Sequence, residues 1–253
     1  MRLSALLAVL NREMKIRATN LTFIFWDVAY PLAYLMVFGV AMERAMGFTV
    51  PGVDVDYNAF FLAGVLGMAS FATASNTAWS FFMDRDNGIF YEMLTYPMSR
   101  GEYLFGKVLF NIVVALVQAL ITVVLAGLLL GIPLTLARVP LLFAAVSLGT
   151  AGWFFFYAIF ALKMRRNDAF NTVTSIFYFV FLFASSMFYP LDPLPRLFQI
   201  FGYANPITWH VDVLRYATIG LGDPRTILLE SIAFMAFGLA AFAVALRALR
   251  NQE

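Results

Sequence analysis

The 253 residues contain no cysteine, a single histidine at position 210, and only 13% charged residues, against about 25% in soluble domains. The missing cysteines exclude thiolate chemistry, disulfides and cysteine metal sites, and leave the redox compartment unread. The lone His210 excludes a histidine pair or cluster. What fills the space is apolar: 62% hydrophobic residues and a mean hydropathy of +0.82, where soluble domains run at about 45–50% apolar. Such a chain is an integral membrane protein with lipid as its surroundings. Its net charge of +2 then describes loops and no nucleic-acid surface. Backbone groups in hydrocarbon must be satisfied within their own segment, and these apolar runs are too long for barrel strands, so the expected fold is all-α.

Residues 1–20 place Leu3, Leu6, Leu7, Leu10 and Met14 on one face, with Arg12, Lys15 and Arg17 mostly off it, the pattern of an interfacial helix lying on the membrane. A cleaved signal peptide is the rival reading, but the charges follow the first apolar patch and no small-residue cleavage site precedes the next run. Spans are expected at about residues 21–42, 59–82, 104–130, 139–162, 170–189 and 227–246. Pro31 sits inside the first, tolerated where a neighbour satisfies the carbonyl it frees. The second carries Ser70, Thr73, Asn76 and Thr77 on a face that is either a helix-packing surface or the wall of a polar path. Residues 190–226, punctuated by prolines, are too broken to span and too apolar for a free loop, so a re-entrant helical segment on the outer side is expected.

The longest polar interruption of the first half is DRDNGIFYEMLTYPMSRGEYLFGK, residues 84–107. Ile89, Phe90, Met93 and Leu94 recur at helical spacing between Gly88 and Pro97, which predicts a short amphipathic helix with a start and a stop. Twelve of the 17 Lys and Arg residues fall in the N-terminal segment, this loop, the loop around Lys163 to Arg166, and the C-terminal tail, and five fall on the opposite side. The positive-inside rule therefore puts both termini and both of those loops in the cytoplasm.

Three strings carry possible chemistry. Gly101 to Lys107 matches most of a phosphate-binding loop, but Val108 stands where a hydroxyl is needed and no strand precedes it; no ATP site is expected in this chain. Asp84 and Asp86 could hold a divalent cation for a membrane-embedded transferase, or could simply be acidic residues near a helix N-terminus. Asn205 and Thr208, with Asp212 and Arg215 beyond, read either as an outer binding site or as helix caps. An ion-driven secondary transporter is a further class, although only Gln118 and Asn76 stand near mid-span, with Asp27 and Glu230 towards the ends.

Two of these regions carry a resemblance. The pattern Asp86-x-Gly88-x-x-x-Glu92-x-Leu94-x-x-Pro97-x-Ser99-Arg100, followed by Gly106-Lys107, resembles the first cytoplasmic loop of permease subunits of ATP-binding-cassette type-2 exporters. The string Phe188-Tyr189-Pro190-Leu191, Leu194-Pro195, Asn205-Pro206-Ile207-Thr208, Val211-Asp212, Leu214-Arg215 is similar to that family's C-terminal signature. Order, spacing and six-span layout agree over essentially the whole chain. The resemblance implies a homodimer driven by two copies of a cytoplasmic ATPase that binds the ATP and Mg, in the inner (plasma) membrane. It implies a coupling helix in residues 83–103, with Asp84, Arg85, Asp86, Gly88, Phe90, Glu92, Leu94 and Pro97 as ATPase-coupling residues. It also implies a path lined by the second and fifth spans, to which Ser70, Thr73, Asn76, Thr77, Thr174, Phe177, Phe181 and Ser185 would contribute. Such a lining would suit an amphipathic, lipid-like or lipid-linked substrate.

Because no native cysteine competes, single-cysteine labelling tests the topology directly. Arg100→Cys and Arg166→Cys should react with a membrane-impermeant thiol reagent only from the cytoplasmic side, and Asp54→Cys and Asp192→Cys only from outside. Labelling of position 192 solely from the cytoplasm overturns the six-span layout.

Overall fold

The computed structural model describes residues 2–46, 55–132 and 135–251; Asp54 lies outside the described residues. Every regular element among them is helical. Helix α1 (Leu3–Thr19) precedes α2 (Leu21–Tyr34), which passes through a π-helical turn (Leu35–Gly39) into α3 (Val40–Met46). Then follow α4 (Tyr57–Asp86), the short α5 (Ile89–Met93), α6 (Arg100–Leu130), α7 (Val139–Lys163) and α8 (Asn167–Phe183). The chain closes with α9 (Arg196–Ala204), α10 (Pro206–Ile219) and α11 (Pro224–Arg250). Among the described residues five stretches are long and apolar enough to cross a membrane: Phe25–Met42, Tyr57–Asp86, Arg100–Leu130, Leu136–Lys163 and Pro224–Arg250.

The run expected as a span over residues 170–189 behaves differently. Its helix, α8, stops at Phe183 after 17 residues, about 26 Å at 1.5 Å per residue. The reason is local: Asn205 Nδ2 donates to the carbonyls of Phe181 and Ala184, at 2.8 and 2.7 Å, and so caps the helix where continuing turns would otherwise take those oxygens. Beyond it, Tyr57 Oη donates to the Phe188 carbonyl at 2.9 Å. At the other end of α8, Trp79 Nε1 donates to Asn167 Oδ1 at 3.1 Å. These two contacts with α4 are 22 residues apart along it, about 33 Å.

Helix α4 is the axis of the bundle, buried almost without interruption from Tyr57 to Phe71. It packs against α6, α7, α10, α2 and α8. A contiguous aromatic layer (Phe71, Trp153, Phe156, Phe181, Phe234 and Phe237) joins α4, α7, α8 and α11 through ring centroids 4.6–6.2 Å apart, the edge-on and offset range that aromatic pairs favour. Within residues 190–226, α9 and α10 form a helical pair between α8 and α11. Helix α10 is buried in the bundle, whereas α9 exposes Leu197, Phe198, Ile200 and Phe201.

Pro31 shows how the bundle treats an unpaired backbone group. Proline lacks the N–H that would bond the carbonyl four residues earlier, here that of Asp27. Gln118 Nε2 of α6 donates to that oxygen at 2.5 Å, while its own Oε1 accepts from Thr73 Oγ1 of α4 at 2.9 Å. One amide thus satisfies the orphan and ties three helices. Gln118→Leu is expected to lower stability by about 1–3 kcal/mol, because the Asp27 carbonyl and the Thr73 hydroxyl lose their partner. Thermal unfolding of the purified variant in detergent measures this, and a change below about 0.5 kcal/mol would show that water replaces the amide.

Candidate functional site

The C-terminal end of α4 and the N-terminal end of α6 meet α1 at a buried charge cluster. Lys107, fully buried, stands with Nζ 2.6 Å from Asp84 Oδ2, 2.9 Å from Glu13 Oε1 and 3.0 Å from Ser80 Oγ. Arg12 clasps Asp84 through NH2 and NH1 at 2.8 and 3.1 Å, and Tyr103 Oη donates to Asp84 Oδ2 at 2.5 Å. Burial opposes the charge on Arg12, but the hydrogen bond and charge of Asp84 more than offset it and hold its pKa above the ordinary arginine value. Two cations and two carboxylates leave no net charge, the condition under which ionised groups can be buried at all.

This cluster explains the Gly106-Lys107 pair. A Cβ on Gly106 would fall 2.5 Å from Val9 Cβ, so glycine admits α1 against α6 and Lys107 then pairs across the contact. The phosphate-loop resemblance of residues 101–107 is a helix-packing device inside α6. Asp84, whose two oxygens serve Arg12, Lys107 and Tyr103, is spent on the fold and is not a rim residue or free metal ligand; Asp86 is exposed. Helix α1 also departs from expectation, since Arg12 and Arg17 turn into the protein, the latter onto Asp27. Its Leu3, Leu7, Met14 and Ile16 remain exposed, as an interfacial helix requires.

The loop helix is shorter than residues 88–97. Gly88 ends the preceding turn at φ +80°, a left-handed conformation that side chains disfavour, and α5 covers only Ile89–Met93. Ser99 then opens α6 with a capping box, accepting from the Glu102 N–H at 3.2 Å while Glu102 Oε2 accepts from the Ser99 N–H at 2.9 Å. Phe90 is fully buried between Phe81 and Tyr103, with centroids at 5.5 and 5.3 Å, so of the residues implied for coupling it is not one that a partner can touch. Leu94 is half-buried, and Arg85 is drawn inward by the Leu162 and Met164 carbonyls at the end of α7. The face left open carries Tyr91, Glu92, Thr95, Tyr96 and Pro97, with Tyr91 and Tyr96 47% and 61% exposed.

Of the expected path residues, most are turned into the chain. Ser70, Thr73, Thr77, Thr174 and Ser185 are buried. Thr73 meets Gln118, and Thr77 Oγ1 meets Asn111 Oδ1 at 2.9 Å while Asn111 Nδ2 donates to the Thr150 carbonyl. Thr174 and Ser185 bond backward to their own helix. Phe177 meets Phe156 of α7 edge-on, and Phe181 meets the same ring at a tilt. Only Asn76 is exposed, and it joins residues that the sequence reading passed over: Trp79 on α4, and Asn167, Asn171 and Ser175 on α8, all exposed. Their spacing of four was the available signal, since it makes one polar stripe on a helix. Beside Asn76, a hollow of about 420 Å³ opens between α2, α4, α6 and α8, lined by Trp26, Tyr30, Ser75, Asn76, Gln118 and Tyr178.

The C-terminal string forms a joint. Asn205 caps α10 by accepting from the Ile207 N–H at 3.0 Å, while its amide closes α8. Thr208 Oγ1 accepts from the Ser186 N–H at 3.2 Å. Arg215 pairs with Asp212, stacks 3.9 Å from the centroid of the Phe60 ring and donates to the Ser186 carbonyl at 2.8 Å. These residues are helix caps and an internal ion pair.

A family model described as ABC-2 type transporter matches residues 4–219. The chain is similar to proteins named transport permease ycf38: 28% identical over 191 residues to that of Cyanophora paradoxa and 26% over 191 to that of Porphyra purpurea, each covering 75% of this chain. A third, from Pyropia yezoensis, is 24% identical over 217 residues, or 82% of this chain. The matches span 65% of the length of the first two relatives and 74% of the third.

Removing one partner of the buried cluster should be costly. Lys107→Met leaves Asp84 and Glu13 facing only Arg12, and about 3–5 kcal/mol of stability should be lost. In Lys107→Met with Asp84→Asn the loss should fall well short of the sum of the single changes. Additive losses in detergent unfolding would show that the two groups do not interact.

Proposed function

The chain belongs to the ABC-2 type transporter family, the membrane permeases that generally pair with ATP-binding subunits, and from that premise we propose that it is the permease half of an ATP-driven exporter. Two copies line a path, and two copies of a separate cytoplasmic ATPase supply the energy, binding the ATP and Mg. The chain crosses the plasma membrane six times with both termini in the cytoplasm. The sixth crossing in this reading is α8 with the non-helical residues after it, supported by contacts with α4 that lie about 33 Å apart along that helix. The stripe of Asn76, Asn167, Asn171 and Ser175, flanked by exposed Ile176 and Phe179, pairs hydrogen-bonding groups with apolar surface. That mixture suits an amphipathic, lipid-like or lipid-linked substrate.

The observation that carries the reading is the way α5 is mounted. Its outer face offers two tyrosines beside Glu92, while its inner face is keyed by Phe90 between α4 and α6. Tyr103 touches that Phe90 ring and also hydrogen-bonds Asp84. A push on the outer face therefore reaches both long helices and, through the charge cluster, α1. Phe90, Leu94, Arg85 and Asp84 transmit the load in this reading, and Tyr91, Glu92, Tyr96 and Pro97 make the contact.

Tyr91→Ala with Tyr96→Ala should weaken co-purification of the cognate ATPase by about tenfold to several-hundredfold, since an aromatic anchor commonly contributes about 1–2 kcal/mol or more to an interface. The double variant should keep wild-type thermal stability, because both side chains lie on the open face. Undiminished ATPase association and undiminished transport at normal expression would remove the coupling role from α5.

A further inference from the structure

A second feature of the cytoplasmic side in that reading adjoins the coupling face and shares Tyr91 with it. Where the ends of α4, α7 and α11 converge, a hollow of about 470 Å³ is lined by Arg85, Lys163, Arg165, Asp86, Tyr91 and Asn251, over a floor of Leu162 and Ala248. Three cations face one carboxylate there, a surplus of two positive charges. Among the described residues none of the three stands within ion-pair distance of a carboxylate. Arg85 is held in place, with NH1 donating to the Leu162 carbonyl at 2.6 Å, NH2 to that of Met164, and its guanidinium 5.2 Å from the centroid of the Phe82 ring. Both acceptors are neutral. These bonds add no negative charge beside it and, of its five N–H groups, leave three without a partner in them.

We propose that this hollow is a binding site for the phosphate group of an anionic phospholipid. Its depth matches the occupant. The apolar run of α7 ends at Leu162 before Lys163, and that of α11 at Leu246 before Arg247, so the cations stand where hydrocarbon gives way to headgroups. Its size suits a phosphodiester with its glycerol rather than a length of polypeptide. One helical turn before Ala248 on α11, exposed Val244 continues the same face into the apolar zone, as the acyl chains of such a lipid require. Arg85 lies two residues before Asn87 and Gly88, which lead into α5, so the bound phosphate would bridge the α7–α8 loop to the segment that carries the coupling helix. This is a specific site and not the general excess of cytoplasmic charge, because neighbouring Arg166 is turned to Asp168 at 3.7 Å and does not line the hollow.

The test uses the full chain in nanodiscs of equal phosphatidylglycerol and phosphatidylcholine, with retained lipids counted by native mass spectrometry. Wild type should retain phosphatidylglycerol preferentially. Lys163→Ala with Arg165→Ala, both exposed and without packing roles, should reduce that preference by about tenfold to thirtyfold, at about 1 kcal/mol for each cation near the surface, while Arg166→Ala should leave it within about twofold. Equal effects of Arg166→Ala and the double variant would reduce the site to diffuse surface charge and overturn the proposal. Displacement of phosphatidylglycerol by millimolar inorganic phosphate would assign the hollow to a soluble phosphate instead. An unchanged lipid preference combined with lost ATPase association would make it a contact for acidic residues of the ATPase, and the lipid assignment would fail.

Discussion

Burying an ammonium group requires its charge to be answered within a few ångströms, and the arrangement around Lys107 follows from that requirement. Effective desolvation costs several kcal/mol per ion, so Lys107 can lie inside the bundle only because Asp84 and Glu13 stand within 3 Å. Glu13 belongs to α1, Asp84 to the end of α4 and Lys107 to the second turn of α6. The pairing thus fixes the depth at which the N-terminal helix sits and the register between the two long helices. Arg12 and Tyr103 complete the coordination of Asp84, and Tyr103 in turn supplies one wall for Phe90. A constraint of charge balance is thereby converted into the mounting of the loop between α4 and α6.

Much of this was legible in the chain. Hydropathy alone fixes the helical membrane class, and the polar interruption at residues 84–107 marks the connection between α4 and α6. The cap at Ser99 is local chemistry, readable from side-chain type, whereas the helix before it stops at Met93, four residues short of the Pro97 that marks a stop in the sequence. Which way each charged residue faces was not legible, because the partner of Asp84 lies 72 residues away in α1 and another 23 residues away in α6. Periodicity gives a helix a face without naming its neighbour. Phe90 illustrates the limit: a short amphipathic helix at a membrane edge has two surfaces to cover, and the sequence does not say that the phenyl ring goes to Phe81 and Tyr103 rather than outward.

Hydroxyl and amide side chains in the bundle are divided between two tasks. Those of α4 that face α6, such as Thr73 and Thr77, are consumed by Gln118 and Asn111 in links that join helices without any hydrophobic drive between them. Those turned outward on α4 and α8 accumulate as an exposed stripe, in which Asn167 Oδ1 accepts from Trp79 and from Asn171. Composition cannot separate the two groups, since both read as Ser, Thr, Asn and Gln in an apolar run. A small difference in helical phase, Thr77 against Asn76, decides between glue and surface.

Residues 184–188 add a condition on where water can stand. They leave the helix within the depth spanned by α4, and irregular backbone at that depth is stable only against protein or a wet cavity. Asn205, Tyr57 and the hydroxyls of Ser185 and Thr208 take up several of its polar groups, so one flank is already dry and sealed by protein. Ser185, Ser186 and Met187 are themselves buried by this chain, so what stays open at Ala184 and Phe188 must be hydrated or covered by another polypeptide, and acyl chains are kept from it. Along α8 the surroundings consequently change from hydrocarbon-compatible at mid-helix to aqueous or proteinaceous at its end, a gradient of polarity set by where one asparagine ends a helix.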